Sequence, residues 1–496
     1  MIDLPYLDSI TRNTTSKIIF LVIDGLGGYP DKTGKSELEY AKIPNLNQLV
    51  SKSDCGLTIP VLEGITPGSG PGHLSLFGYD PVKYLLGRGI LETLGIDIEL
   101  NPNEIAARGN FCTVDNNGNI TDRRANRIQT NISTQIINEL KKIELSGIEF
   151  KIYPVRDHRF VLIMNGKNLS PNISETDPQI LGTKPLESLP LSDNAINTAS
   201  KINQFVELTK TILSTRETAN MILLRGFSQL PNLPNFNFSY KLKSCAIAAY
   251  PMYKGLAKLL GMDVLNCGDT FEQEIKTLKE NFNKYNFFFL HYKPADAAGE
   301  DGNFENKIKT LEALDKFIPE ITNINPDVLV IAGDHSTPAI LGSHSWHPVP
   351  VMIHTNKSIN HNVKHFTEKD LIYGNLGTIH ATKLMLLSLA NAGKFFFSAK
   401  SLFIIITAAA PSLTPDEFPA VTVPFFLKAG FKFDKLSSVT LLRGCSSSRL
   451  SGIISWLNFL FLIASCAFDC EDTAKVSCSS LEIFHFSATF SAVIPI

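Results

Sequence analysis

The chain has 496 residues, of which 44% are hydrophobic, so it is long enough to bury a large core in about two or three domains. Its formal net charge of −2 argues against nonspecific nucleic-acid binding, because no excess of lysine and arginine is available to neutralise phosphates. The 8 cysteines include no CxxC pair, which argues against a zinc ribbon and a disulfide framework. No basic stretch followed by an apolar one opens the chain, so we predict a cytoplasmic protein.

The first predicted element is a buried strand over residues 17–24, KIIFLVID, which ends in Asp24. Further along, GITPGSGPGHLSLFGYDP (64–81) places Ser69 between two glycines and ahead of an apolar helical pattern. Proline suits the first position of a helix, so we expect the helix to begin at Pro71. A phosphate would bind at the amide hydrogens of that helix N-terminus, which makes Ser69 a candidate nucleophile.

Residues 102–190 contain short predicted strands joined by Asn/Gly turns, with little helix between them. This pattern predicts an inserted α+β domain within a core formed by residues 1–101 and 191–394. The apolar run ANMILLRG (219–226) is expected to return the chain to the main sheet.

The later part of this core alternates apolar strands with helical patterns. NFFFLHYK (286–293) and PDVLVIAGDH (326–335) have the form of the first strand, and PMYKGLAKLLG (251–261) and NKIKTLEALDKFIPEI (306–321) have helical periodicity. Strands that alternate with helices predict an α/β fold with a mostly parallel sheet covered by helices on both faces.

Polar residues at the ends of these strands suggest a metal site. Asp24, Asp296, Asp334 and His335 are predicted at or just past carboxyl ends, where ligands bind in such sheets. Together with Ser69 they offer oxygen and nitrogen donors that suit Mn²⁺ or Zn²⁺. Each motif alone has an ordinary structural explanation, such as a turn after a strand, and it is their joint occurrence in this order that favours a site.

A series of ordered motifs between residues 15 and 393 gives the chain a family resemblance. The motifs are VIDGLGG, TPGSGPGHLSLFGYDP, GRGILETLGI, NFCTVDNNGNITDRRANRI, KPADAAGEDGNFENKI, GDHSTP and HSWHPVPV. The chain resembles the archaeal-type 2,3-bisphosphoglycerate-independent phosphoglycerate mutases of the alkaline phosphatase superfamily. The resemblance implies an alkaline-phosphatase-like core, with residues 102–190 as an inserted substrate-binding domain. It also implies the glycolytic interconversion of 3-phosphoglycerate and 2-phosphoglycerate through a phosphoserine on Ser69, without 2,3-bisphosphoglycerate as cofactor.

The resemblance also implies two divalent metal ions. One would be held by Asp24, Ser69, Asp334 and His335, and the other by Asp296, Glu300 and His344. Glu300 stands where the family has a histidine, and His347 is the alternative third ligand of the second site. Mn²⁺ is the favoured ion, with Zn²⁺, Co²⁺ or Mg²⁺ as alternatives.

A substrate with a phosphate and a carboxylate favours bidentate guanidinium groups. The candidate substrate-binding residues are Arg88, Asp122, Arg123, Arg127, Arg159 and Lys254. Asn126 stands where the family has a glycine. The ordinary explanation of such an arginine cluster is a solvated surface with weak ion pairs.

The leading hypothesis is therefore an isomerase whose partners are small phosphoglycerates, with no nucleic acid and no membrane. A metal-dependent phosphomonoesterase and a catalytically inactive, metal-binding regulatory protein are the alternatives. The sequence does not fix the oligomeric state. Residues 395–496 are expected to be an irregular extension without an evolved fold, or a small accessory domain, because their sequence has no catalytic motif and no clean periodicity. A membrane anchor is not favoured there, because the apolar run GIISWLNFLFLIASCAF is shorter than the roughly 20 residues of a membrane-spanning helix.

Overall fold

The computed structural model of the protein describes residues 2–4, 7–359, 363–396, 420–425 and 437–442. The strands in these ranges are β1 Ile18–Ile23, β2 Asp54–Ile59, β3 Ile105–Val114, β4 Ile120–Asp122, β5 Ile148–Pro154, β6 Arg159–Gly166, β7 Met221–Ser228, β8 Ser244–Ile247, β9 Asp263–Leu265, β10 Phe287–Tyr292, β11 Val328–Ala332, β12 Val349–Thr355, β13 Gly377–His380, β14 Ala420–Phe425 and β15 Ser437–Leu442. The α-helices are α1 Leu7–Ile10, α2 Glu37–Tyr40, α3 Pro44–Val50, α4 Ser69–Leu76, α5 Arg88–Gly95, α6 Thr130–Leu140, α7 Ile196–Leu213, α8 Phe236–Tyr240, α9 Pro251–Leu259, α10 Phe271–Asn281, α11 Pro294–Glu300, α12 Phe304–Asp315, α13 Ile318–Thr322, α14 Glu368–Leu371 and α15 Leu384–Asn391. Short 3₁₀ helices span Ala125–Arg127, Asp193–Ala195 and Ala381–Lys383.

The main sheet has eight strands in the order β13-β2-β12-β11-β1-β10-β8-β9. All neighbouring strands are parallel except β12, which runs antiparallel to β11 and to β2. Side chains of β1 alternate between two apolar cores, one containing Phe20 and residues of α4, α9 and α15, the other containing Leu21 and residues of α3, α10 and α12. Helices therefore cover both faces, and the predicted α/β class with a mostly parallel sheet is confirmed.

A second, antiparallel sheet is built from β4, β3, β6 and β5 in that order, with β7 also paired to β3. Helices α6 and α7 pack on it around a third apolar core. The expectation that residues 219–226 rejoin the main sheet is wrong, because β7 pairs with β3 and the chain re-enters the main sheet only at β8. The division into a core of 1–101 and 191–394 and an insert of 102–190 remains a proposal, and the pairing groups β7 with the strands of the insert.

Strands β14 and β15 form an antiparallel hairpin of their own. The rest of residues 397–496 lies outside the described residues, and so do the predictions of an extension without fold or an accessory domain there. Among the helices that the described ranges contain, none combines the length and the apolar character needed to cross a membrane.

Residues 393–396 contact the N-terminal segment of the chain. Arg12 Nε donates to the carbonyl of Gly393 at 2.8 Å, and the amide of Phe396 donates to the carbonyl of Ile10 at 2.8 Å. Lys394 is buried, and its ammonium donates to Thr14 Oγ1 at 2.9 Å.

We therefore expect truncation after residue 396 to leave the melting temperature unchanged and to raise soluble yield, because the phenylalanine- and cysteine-rich remainder adds aggregation-prone sequence. Truncation after residue 391 is the control, and it should lower the melting temperature because it removes the contacts to residues 10–14. Differential scanning fluorimetry of both proteins tests this. If the protein truncated after residue 396 melted at a much lower temperature than the full-length protein, the removed residues would have to be an integral part of the fold.

A buried acid on α10 makes stability depend on pH. Glu274 is 3% exposed and accepts the amide hydrogen of Ala249 at 3.0 Å, and burial raises the pKa of its carboxyl from 4.5 to about 8. The folded state therefore binds more protons than the unfolded state between these values, so the stabilisation present at low pH is lost as the pH rises through 8.

Replacing Glu274 with glutamine should remove this pH dependence, because the amide stays neutral. Between pH 4.5 and 9, we expect the free energy of unfolding of the wild type to fall by roughly 3–5 kcal/mol relative to that of Glu274→Gln. Melting temperatures measured across this range test the prediction, with Glu272→Gln, an exposed acid of the same helix, as control. Parallel curves for wild type and Glu274→Gln would contradict it.

Candidate active site

The candidate site lies at the carboxyl-terminal edge of the main sheet, where β1, β10 and β11 end. Asp24 directly follows β1, and Asp334 and His335 follow β11. Asp296 lies on α11, which begins two residues after β10. These positions agree with the prediction that polar side chains gather beyond the carboxyl ends of parallel strands.

Ser69 begins helix α4, with Gly68 as the N-cap in an extended conformation. The expected start at Pro71 is therefore wrong by two residues. Proline is tolerated there because the first amide groups of a helix have no intrahelical acceptor to lose. A side chain at Gly72 would collide with the backbone carbonyl of Asp334, so this glycine lets α4 approach the strand ends closely.

The first cluster brings together Asp24, Ser69, Asp334 and His335, all buried. Ser69 Oγ lies 3.2 Å from His335 Nε2. The same nitrogen is 3.2 Å from Asp334 Oδ2 and 3.4 Å from Asp24 Oδ1. Burial lowers the pKa of His335, which keeps the ring neutral and able to act as a ligand.

Asp24 is surrounded by further polar groups. Its Oδ2 lies 3.0 Å from Lys293 Nζ and 3.3 Å from His291 Nε2, and it accepts the hydroxyl of Tyr253. Burial alone would raise the pKa of Asp24, but the Lys293 ammonium and the two neighbouring imidazoles hold it well below its ordinary value. Asp24 is therefore ionised, and Lys293, which also contacts Asp296 Oδ2, links the two clusters.

The second cluster contains Asp296, His335 and His344, whose ligand atoms lie within 4.8 Å of one another. Asp296 Oδ1 is 3.6 Å from His344 Nε2, and Glu300 Oε1 is 3.7 Å from the same nitrogen. His347 instead lies beside Ser345 Oγ at 3.0 Å and packs on the ring of Trp346. Of the two candidates for the third ligand, Glu300 is thus the one whose contact with His344 is observed.

The neighbouring His344 ring lowers the pKa of the Glu300 carboxyl to about 2, although burial opposes this. The pKa of His344 is raised, since Glu300 and Asp296 outweigh the effect of its burial. Glu300 is therefore a carboxylate at neutral pH.

The donor set fits divalent metal ions. Two groups of three residues, Asp24–Asp334–His335 and Asp296–His335–His344, offer ligand atoms within 4.8 Å of one another. Asp24 Oδ1 is buried and accepts no hydrogen bond from any residue that the structure describes. A buried ionised oxygen without a hydrogen bond is costly unless a cation compensates it, so this atom has the environment of a metal ligand.

A cavity of 360 Å³ is lined by Ser69 and by three of the six predicted substrate-binding residues, Arg88, Arg123 and Arg159. The basic residues that line it are Arg88, Arg108, Arg123, Arg124, Arg159, Arg225 and Lys293. Burial and the neighbouring Arg108 lower the pKa of Arg159 to about 10. Such a concentration of guanidinium groups is suited to a small ligand with several negative charges.

Three predicted substrate residues lie outside this lining. Asp122 accepts the amide hydrogens of Arg124 and Asn126 at 2.7 Å and 2.5 Å and borders an adjoining 260 Å³ cavity. Arg127 is exposed and its Nη2 lies 3.6 Å from Asp301 Oδ1. Lys254 lies on α9 and does not border the cavity. Their assignment to substrate binding stays a prediction.

Sequence reasoning missed several groups at the site. Arg108 is the only charged residue of the mostly apolar strand β3, and Lys293 follows β10 as Asp24 follows β1, so both carried a signal. Glu92 carried none. Its buried carboxyl group accepts no hydrogen bond within the described part of the chain, and its Oε1 lies 3.8 Å from Arg108 Nη1.

Comparisons with known proteins agree with the earlier resemblance. Residues 51–219 match the family model of 2,3-bisphosphoglycerate-independent phosphoglycerate mutase. The chain is 47% identical over 391 residues to a probable enzyme of that name from Thermosipho africanus, which covers 78% of this chain and 97% of the relative. Among solved structures, a Pyrococcus horikoshii protein matches with a TM-score of 0.65 and 26% identity, covering 77% of this chain and 99% of the other. A cofactor-independent phosphoglycerate mutase from Thermoplasma acidophilum matches with a TM-score of 0.54 and 28% identity, covering 76% and 100%.

Proposed function

The chain belongs to the 2,3-bisphosphoglycerate-independent phosphoglycerate mutases and is an isomerase, and from this premise we propose that it transfers the phosphoryl group through a phosphoserine on Ser69. The observation that carries the proposal is the position of the Ser69 hydroxyl. Ser69 is the first residue of helix α4 and lines the arginine-rich cavity, and its Oγ lies 3.2 Å from His335 Nε2.

Two divalent ions complete this proposal. One would be held by Asp24, Ser69, Asp334 and His335, and the other by Asp296, Glu300 and His344. When bound, such ions neutralise phosphoryl oxygens and lower the pKa of a coordinated serine hydroxyl. The carboxylate-rich donor set favours Mn²⁺, with Co²⁺, Zn²⁺ and Mg²⁺ as alternatives.

The arginines that line the same cavity as Ser69 hold the substrate in this proposal. Arg88, Arg123 and Arg159 present guanidinium groups that can bind a carboxylate or a phosphate through two hydrogen bonds. Arg108 and Arg225 add positive charge to the same cavity. We therefore assign these five residues to the glycerate and phosphate of 3-phosphoglycerate and 2-phosphoglycerate.

The reaction then has two balanced halves. In the first, Ser69 Oγ attacks phosphorus, the bond to the substrate oxygen breaks, and the serine proton passes to the glycerate oxygen. In the second, the other glycerate hydroxyl attacks the phosphoserine, Ser69 Oγ leaves and the proton returns to it. Only 5% of Ser69 is exposed, which supports transfer to glycerate, since water attacking the phosphoserine would release free phosphate.

An enolase-coupled assay of 3-phosphoglycerate, run beside a free-phosphate assay and without 2,3-bisphosphoglycerate, tests the proposed function. The proposal requires 2-phosphoglycerate with little free phosphate. Mainly free phosphate would instead indicate a phosphomonoesterase, and the absence of both products would indicate an inactive regulatory protein.

A further inference from the structure

A fully buried lysine lies behind the candidate metal site. Lys307 on α12 is 0% exposed and does not border the cavity. Its ammonium donates to the carbonyl of Gly27 at 2.9 Å and to the carbonyl of Thr337 at 2.8 Å. Burying an ammonium costs free energy unless it is paired and hydrogen-bonded, so these contacts require an explanation.

The two carbonyls belong to the loops that carry the candidate ligands. Gly27 lies three residues after Asp24, and Thr337 lies two residues after His335. Thr337 Oγ1 also donates to Asp296 Oδ1 at 2.7 Å. One ammonium therefore joins the backbones that position ligands of both clusters.

Two glutamates accept hydrogen bonds from backbone amides of the same two loops. Glu37 Oε1, 3.8 Å from Lys307 Nζ, accepts the amide hydrogen of Ala339 at 2.7 Å, and its Oε2 accepts that of Tyr29 at 3.3 Å. Glu368 Oε1 accepts the amide hydrogen of Gly28 at 2.7 Å. We refer to Glu37, Lys307 and Glu368 as the loop clamp.

We propose that Lys307, acting with Glu37 and Glu368, is a positioning residue that holds the Asp24 and His335 loops in the geometry that binds metal. This inference rests on the proposed function. The carboxylates of Asp24 and Asp334 repel each other, so loops without the clamp would relax apart and the ligands would have to be gathered again on binding. Groups that orient metal ligands from behind typically contribute about 10–100-fold in affinity.

Lys307→Met tests the clamp, because methionine keeps the apolar stem and removes the N–H donors. Lys309→Met, at an exposed position on the same helix, is the matched control. Full-length protein is stripped with a chelator and titrated with Mn²⁺ by calorimetry, and circular dichroism checks the fold. We expect a Kd for Mn²⁺ about 10–100-fold higher in Lys307→Met and unchanged in Lys309→Met.

A folded Lys307→Met that binds Mn²⁺ as tightly as wild type would overturn the clamp. If Lys307→Met does not fold, Glu37→Gln decides in its place, because an amide has one oxygen and leaves one of the two loop amides without its acceptor. Its Mn²⁺ affinity should fall several-fold, and wild-type affinity in a folded Glu37→Gln would also overturn the clamp. Wild type that binds no Mn²⁺ would refute the proposed function itself, which separates the two failures.

Discussion

Ser69→Ala is expected to lower kcat for phosphoglycerate interconversion by at least about 10⁴-fold, because it removes the nucleophile. The fold should persist. The N-cap of α4 is Gly68 and not Ser69, and the hydrogen bond between the Ser69 hydroxyl and His335 is worth about 1 kcal/mol.

The matched control for this substitution is Ser75→Ala. Ser75 is a buried serine of the same helix, and its hydroxyl has no hydrogen-bond partner among the described residues, so its removal should leave activity unchanged. Mass spectrometry of enzyme quenched during turnover should find phosphate on Ser69 in wild type and in Ser75→Ala. Phosphate on another residue, or substantial activity in Ser69→Ala, would refute the assignment.

Metal content must be measured in the same proteins, since Ser69 is also a proposed ligand. A Ser69→Ala protein that keeps its metal ions but forms no product would locate the defect in phosphoryl transfer. Loss of both metal and activity would show that the serine is needed for metal binding. Excess Mn²⁺ would then distinguish the two roles of Ser69, because it should restore activity if the serine is only a ligand and fail to restore activity if the serine is the nucleophile.

The positions of Asp24 and Asp334 could be predicted from sequence because the strands before them are buried on both faces. Such strands are continuous apolar runs, and the first polar residue after the run marks the carboxyl end of the strand. The parallel arrangement then brings separate strand ends to one edge, so residues more than 300 positions apart were expected to meet.

The partner of β7 could not be predicted, since an apolar run indicates burial but does not identify the neighbouring strand.

The residues of α9 show a second limit of prediction from sequence. Consecutive helical residues point about 100° apart, so Tyr253 and Lys254 cannot both face Asp24. Tyr253 donates to that carboxylate, and Lys254 does not line the cavity. Which of the two faces the site depends on the packing of α9 against α5, which no local pattern encodes.

Glu300→Ala is expected to reduce bound Mn²⁺ from two ions per chain towards one and to lower activity by about 100-fold or more. The Glu300 carboxylate is ionised at neutral pH because its pKa is about 2, and it lies 3.7 Å from His344 Nε2, so it is available as the third ligand of the second ion. Elemental analysis of the purified protein measures the metal content. Glu305→Ala, which removes an exposed acid at the start of α12, is the control and should keep both ions.

Glu300→His gives the sharper test, because it exchanges a hard oxygen donor for an imidazole at the same position. We expect this variant to keep much of the activity and to shift its metal preference from Mn²⁺ towards Zn²⁺, since imidazole suits Zn²⁺ and carboxylate suits Mn²⁺. Activity titrated with each ion, in parallel for wild type and Glu300→His, measures the shift. Full metal content in Glu300→Ala, combined with loss of one ion in His347→Ala, would transfer the role to His347. That outcome would require His347 to leave its contacts with Ser345 and Trp346, and the third ligand of the second ion would then come from the β11–β12 connection instead of from α11.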